Sequence, residues 1–132
     1  PPRSTLFPYT TLFRSPSGLL TFYAPRFLFV ELFKHKERLA AAARVSEPEI
    51  IEALHTLVSR LEFVNEANIP LDTWMKAYRL CRDTDKKDTP YVALTLHVDG
   101  QLWTHDAELK SALLGLGFDR FFEPQRATLS GL

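Results

Sequence analysis

Between Asp85 and Asp106 the chain reads DKKDTPYVALTLHVDGQLWTHD, and this stretch limits the architecture more than any other. Tyr91 to Val98 is almost wholly apolar. Asp88 falls where a carboxylate caps the free amides of a first helical turn, and Pro90 sits just inside the start, where a missing N–H costs nothing. A helix that is apolar on nearly every side must be covered on nearly every side, so other elements have to surround it. Asp99 and Gly100 end it, Gln101 to Thr104 reads as a strand, and Asp106 emerges where that strand gives way to the next helix. Carboxylates at a helix start and at the C-terminal end of a strand meet at the rim where open α/β sheets place their sites.

The flanking chain alternates short apolar strands with helices, without repeats or low-complexity linkers. Leu20 to Ala24 is a strand closed by Pro25. Arg26 to about Ala43 reads as one long helix, apolar through RFLFVELF and polar and alanine-rich through KHKERLAAAAR. Ser46 and Glu49 have capping-box spacing at the head of a helix running to Arg60, with Pro48 in its first turn and Ile50, Ile51, Leu54, Leu57, Val58 and Leu61 on one stripe. Glu62 to Val64 is a strand. Asp72 opens a helix on which Trp74, Tyr78 and Cys81 share a face. Ala107 to Leu116 is a helix ended by Gly117, and Arg120 to Phe122 is a last strand. Helices between short apolar strands predict parallel pairing through right-handed crossovers, hence an α/β fold, a three-layer α/β/α sandwich around a short parallel sheet.

Composition excludes some functions. With 16 basic and 16 acidic residues the formal net charge is zero, so any contact with nucleic acid must come from a local patch. Cys81 is the single cysteine; it forms no internal disulfide and fits a reducing compartment, and the cytoplasm is the expected location. No apolar run reaches the length of a membrane span, so no membrane partner is expected. There is no glycine-rich phosphate loop and no Ser/His/Asp or Cys/His constellation in recognisable context, and the histidines at 35, 55, 97 and 105 lack zinc-type spacing.

The central stretch resembles the PIN-domain nucleases, which include the ribonuclease toxins of bacterial toxin–antitoxin pairs. An Asp lies five residues before an Ala in a buried helix, here Asp88 and Ala93, and an apolar strand ends in Thr-x-Asp, here Thr104 and Asp106. Upstream, Ala24-Pro25 followed by a Phe- and Leu-rich helix with an acid, Glu31, is similar to the second strand and first acidic helix of that family. The resemblance covers roughly Ser17 to Phe122. It implies a metal-dependent endoribonuclease of toxin type that cuts single-stranded RNA, with an antitoxin protein and a second copy of the chain as further partners. The implied sheet order is 3-2-1-4-5.

One part of the family pattern is missing. The family begins with a central strand ending in Asp, and that place is taken by Pro1 to Ser15, PPRSTLFPYTTLFRS, which holds no Asp or Glu. These fifteen residues match, without a mismatch, the in-frame translation of a common high-throughput sequencing adapter. They are read as an assembly artefact with no packing role, with Pro8 arguing against a central strand. The domain proper is then residues 16–124, a PIN-like domain whose first central strand is missing or replaced, followed by a tail at 125–132. Without Pro1 to Ser15 the chain carries 14 basic and 16 acidic residues, because the segment contains Arg3 and Arg14.

The expected chemistry rests on carboxylates. In this topology Glu31, Asp88 and Asp106 face the same end of the sheet, as oxygen-only ligands suited to Mg²⁺ or Mn²⁺. Such an ion activates water for attack on a phosphodiester. Asp85 and Glu108 are placed to hold outer-shell water, and Thr104 to orient Asp106. Lys34, Lys36, Arg38, Arg79, Arg82, Lys86 and Lys87 are candidates for a strand-binding groove, with His105 near a phosphate. Plainer roles stand beside these. Asp88 and Asp106 occupy helix-cap positions, Glu31 is within reach of Lys34 or His35, the cations suit a solvated face, and Trp74 and Trp103 sit in apolar periodic patterns typical of core. A retained scaffold that only binds RNA or a partner is the alternative function. A phosphatase-like or response-regulator-like domain is disfavoured, since those place paired acids straight after an N-terminal strand.

Overall fold

In the computed structural model, residues 10–14 and 20–123 are described. The strands are β1 (Thr10–Arg14), β2 (Leu20–Pro25), β3 (Leu61–Val64) and β4 (Gln101–Trp103). The helices are α1 (Phe27–Lys34), α2 (Lys36–Ala43), α3 (Glu47–Ser59), α4 (Leu71–Cys81), α5 (Thr89–Val98) and α6 (Ala107–Gly115), with short 3₁₀ turns at Glu66–Asn68 and Lys86–Asp88.

The sheet order is β3-β2-β1-β4. Beyond β4, Phe121 adds a parallel bridge to Leu102, held by Leu102 N–H donating to the Arg120 carbonyl and Phe122 N–H donating to the Leu102 carbonyl. This reproduces the order implied by the resemblance, but not an all-parallel sheet. β2 and β3 pair in parallel, Phe22 opposite Leu61 and Pro25 opposite Val64, whereas β1 runs antiparallel to both its neighbours. Thr11 lies opposite Tyr23 on one side and Leu102 on the other. The expectation that the N-terminal segment has no packing role therefore fails for Thr10–Arg14, whose backbone ladders on both sides. Pro8, the residue that argued against this placement, lies outside the described residues.

Strand alternation divides the apolar residues between two faces. Tyr23 and Val64 pack with a core built from α4, α5, α6 and β4; Ala24, Leu61 and Phe63 pack with a second core built from α1, α2 and α3. The sheet is thus the middle layer of three. α5 lies against β1, β2 and β4 and is covered by α4, and six of its ten residues, from Thr89 to Thr95, are buried. Thr95 is accommodated there because its hydroxyl donates to the Tyr91 carbonyl, 2.8 Å away. Asp99 ends the helix in the left-handed region at φ 55°, with Gly100 N–H returning to the Thr95 carbonyl at 3.0 Å.

Several boundaries and faces differ from the sequence reading. The long helix from Arg26 is two helices, α1 and α2, separated at His35, where φ is −105° and ψ 19°. Their partners differ: α1 packs on β2 and α3, and α2 packs on α3. α4 buries Ala77 and Cys81, with Trp74 partly buried beside them, while Tyr78 is exposed. Ile51 is also exposed. The capping box at Ser46 is present: Glu49 N–H donates to Ser46 Oγ at 3.3 Å, and that hydroxyl donates to Glu49 Oε1 at 3.0 Å.

Candidate nuclease cleft

β2, β3 and β4 all run in one direction, so their C-terminal ends share one edge of the sheet. From that edge, Pro25 leads through Arg26 into α1, and Trp103 leads into the Thr104–Asp106 turn. β1, being reversed, brings its start, Thr10, to this edge. Its five residues, TTLFR, include no carboxylate.

The side chains beside this edge form a cleft of about 650 Å³ between α1 and the corner where the Lys86–Asp88 turn enters α5. Glu31, Asp85 and Asp88 line it together with Lys34, Arg38, Lys86 and Lys87, over a floor that includes Phe27, Pro90 and Tyr91. Phe27 and Tyr91 meet edge to face with ring centroids 5.5 Å apart, joining α1 to α5 across the cleft. The four cations are exposed. Spacing puts Glu31 and Lys34 on one face of α1, since residues three apart are neighbours on a helix, and Arg38 comes from α2 beyond the break at His35. A second cleft of similar size, about 620 Å³, lies on the other side of α1 between Phe29, Val30 and Phe63, and gathers no comparable cluster of cations.

The individual carboxylates play different parts. Asp88 is buried, yet it makes no capping hydrogen bond to the amides of α5, contrary to the helix-cap reading. Asp85 caps the 3₁₀ turn instead, accepting from Lys87 N–H at 2.9 Å. Glu31 stands 3.5 Å from His35 Nε2, one turn ahead in sequence, so the plainer partner foreseen for it is present. Asp106 caps α6 through Leu109 N–H at 3.0 Å, and its own N–H donates to Thr104 Oγ1 at 3.0 Å. The hydroxyl of Thr104 thus holds the backbone of Asp106.

Asp106, Thr104, Glu108 and His105 are not among the residues that line the cleft. Glu108 is exposed on α6, and His105 is exposed beside Trp103, ring centroids 6.2 Å apart. Arg82 lines a neighbouring groove with Thr89 and lies 3.8 Å from Asp83. Glu31, Asp85, Asp88, Lys34, Lys86 and Lys87 thus line one cleft, and Asp106, Thr104, Glu108, His105 and Arg82 are not part of its lining. Among the described residues, no group of three or more His, Cys, Asp and Glu side chains is arranged to hold a metal ion. Phe27, Pro90 and Tyr91 were not expected at the site. Their signal in the sequence was proximity alone, Phe27 one turn before Glu31 and Pro90-Tyr91 two and three residues after Asp88.

A family model described as PIN domain matches residues 8–118 of the chain. The chain belongs to the PIN-domain family. No curated protein and no solved structure gave a match. PIN domains are in general nucleases that act on RNA or other nucleic acid and use divalent metal ions, and in this PIN domain Glu31, Asp85 and Asp88 share a cleft with Lys34, Arg38, Lys86 and Lys87. No helix among its described residues is long and apolar enough to cross a membrane.

Proposed function

We propose that this PIN domain derives from a toxin-type ribonuclease dependent on Mg²⁺ or Mn²⁺, and that the chain as it stands binds single-stranded RNA in the cleft and cleaves it poorly. The observation that carries the reading is the convergence of Glu31, Asp85 and Asp88 with Lys34, Arg38, Lys86 and Lys87 on one concave surface. Cations on the cleft walls suit successive phosphates, and the carboxylates suit a hydrated divalent ion between them. A flexible single strand fits such a cleft better than a duplex, because its bases are free to turn away from the phosphates.

The fit to the ion is incomplete. Glu31 and Asp88 have the right donor chemistry and share the cleft. Asp106 does not line the cleft and caps α6 through Leu109 N–H, and the strand at Thr10–Arg14 supplies no carboxylate. Hydrolysis requires the reacting groups to be held within roughly half an ångström. A cleft with two or three carboxylates on two elements lacks that definition. Binding draws on the cations and tolerates looser geometry. The same features favour the second reading, a PIN domain serving as an RNA- or partner-binding module, for which an antitoxin protein and a second copy of the chain are the protein partners to examine.

The strand at Thr10–Arg14 belongs to this proposal. Its agreement with an adapter translation supports reading it as a foreign segment in the slot where the family carries an acid-bearing strand, although the family match itself begins at residue 8. The test compares three proteins on labelled single-stranded RNA with Mg²⁺ or Mn²⁺: this chain, a version whose central strand ends in Asp, and that version carrying Asp88→Asn. The proposal expects cleavage only by the second. Robust metal-dependent cleavage by this chain, abolished by Asp88→Asn, contradicts the impairment; inactivity of all three favours the binding module.

A further inference from the structure

α1 closes its last turn on the wall of the carboxylate cleft. His35 N–H donates to the Glu31 carbonyl at 3.2 Å, so the two side chains stand one turn apart on the same face despite the break that follows. Glu31 Oε2 and His35 Nε2 are 3.5 Å apart, and both residues line the cleft. Neither side chain is buried: Glu31 is 37% and His35 29% exposed. Lys34 and Arg38 line the same cleft, and among the described residues neither is within ion-pair reach of Glu31.

We infer that Glu31 and His35 form a two-donor chelate for a transition-metal ion of the Co²⁺ to Zn²⁺ range, and that the cleft of this chain selects such an ion over Mg²⁺ and Mn²⁺. The inference rests on the reading of the cleft as a divalent-ion site and turns on its incomplete fit to a hard cation. Two ligands of one small divalent ion, each bound at about 2.0–2.2 Å, lie roughly 3.0–3.6 Å apart at the angles of octahedral and tetrahedral sites. The separation of 3.5 Å falls in that interval. The spacing i, i+4 is also the one by which a single helix sets two histidines on one zinc ion. Imidazole suits the later ions of the series, whereas Mg²⁺ and Mn²⁺ favour carboxylate, carbonyl and water oxygens. Charge does not favour a hard ion here, because the three carboxylates of the cleft face four Lys and Arg side chains. Mg²⁺, which keeps much of its water and is held chiefly by charge, gains little from such a lining; a metal–imidazole bond is less dependent on net negative charge. Among the described residues no third His, Cys, Asp or Glu completes the set, so the remaining positions fall to water. Asp85 and Asp88 line the same cleft and can accept hydrogen bonds from that water. A structural zinc site is closed by four protein ligands, so this one is exchangeable. A simple Glu–His ion pair would account for the contact without metal, but it makes no distinction among cations.

The test titrates the full ¹⁵N-labelled chain with Zn²⁺, Mn²⁺ and Mg²⁺ separately and follows the ring nitrogens of its four histidines. Zn²⁺ should shift Nε2 of His35 at concentrations that leave His55, His97 and His105 unmoved, and about a ten-fold excess of Mg²⁺ should not reverse the shift. By calorimetry, His35→Gln should weaken Zn²⁺ binding about ten-fold or more and leave Mg²⁺ binding unchanged. Equal shifts at all four histidines, reversal by equimolar Mg²⁺, or Zn²⁺ affinity unaffected by His35→Gln overturns the chelate. Should that variant fail to fold, the ring shifts of the unaltered chain decide alone. Binding of single-stranded RNA in EDTA separates the two readings. RNA bound there without any Zn²⁺ shift at His35 overturns the chelate and leaves the RNA cleft standing; a selective shift at His35 in a chain that binds no RNA upholds the chelate and overturns the RNA cleft.

Discussion

Paired replacement of Lys86 and Lys87 by alanine offers a quantitative test of the cleft. Both residues are exposed, and the Asp85 contact in their turn is made by the backbone N–H of Lys87, which alanine keeps, so folding should be undisturbed. Binding of a single strand releases counterions, and log K falls against log salt with a slope of about −0.7 per phosphate neutralised. Four cations line the cleft, which sets a limiting slope of about −2.8 and about a fifty-fold loss of affinity between about 50 and 200 mM salt. Removing two of them halves the limiting slope to about −1.4, and the loss over the same interval falls to about seven-fold. The carboxylates in the cleft lower the absolute values; the reduction on substitution is the diagnostic quantity. Fluorescence anisotropy of a labelled single-stranded RNA across a salt series measures it. An unchanged slope in the double variant would mean that the RNA lies elsewhere.

Three further outcomes check the fold and the division of roles. Leu94→Ala, at a fully buried position on α5, should cost about 2–5 kcal/mol in denaturant unfolding, and a smaller loss would argue against the central place of that helix. Asp106→Ala should lose about 1 kcal/mol of helix capping while leaving RNA affinity unchanged; a loss of affinity without a loss of stability would return Asp106 to the binding site. Leu12→Pro removes a ladder N–H from a strand paired on both sides and should lower the melting temperature, with about 1–3 kcal/mol at stake. An unaltered melting temperature would show that the strand contributes nothing.

Local signals in the sequence proved to be readable when one residue controls one event. Ser46 with Glu49, Asp99 with Gly100, and the apolar run through Ala93 each announce a helix start, a helix stop or a buried helix, and the structure has all three. The three layers followed from the alternation of elements, and the sheet order only from the family resemblance, which left the central strand missing or replaced in this chain. What could not be read depends on long-range placement. TTLFR has the β-branched and aromatic character of a strand, but its direction is set by β2 and β4, which a local reading does not see. The break at His35 reflects two helices serving different neighbours, and KHKERL carries no glycine or proline to announce it. Asp88 looked like a cap because of its position before Pro90, whereas the 3₁₀ turn ahead of it changes the direction of entry, and Asp85 does the capping. The cap that Asp106 forms at Leu109 was readable from its position before α6, as it would be for any Asp three residues ahead of a first-turn amide.

The most direct measurement is a ¹H–¹⁵N spectrum of the chain titrated with a short single-stranded RNA in the presence of Mg²⁺, under conditions where the RNA remains in contact for hours. The account predicts shifts concentrated at residues 27–38 and 85–91, with Leu109 and its neighbours on α6 unmoved and the RNA recovered intact. Shifts centred on the Asp106 turn, or RNA recovered in fragments, would contradict it.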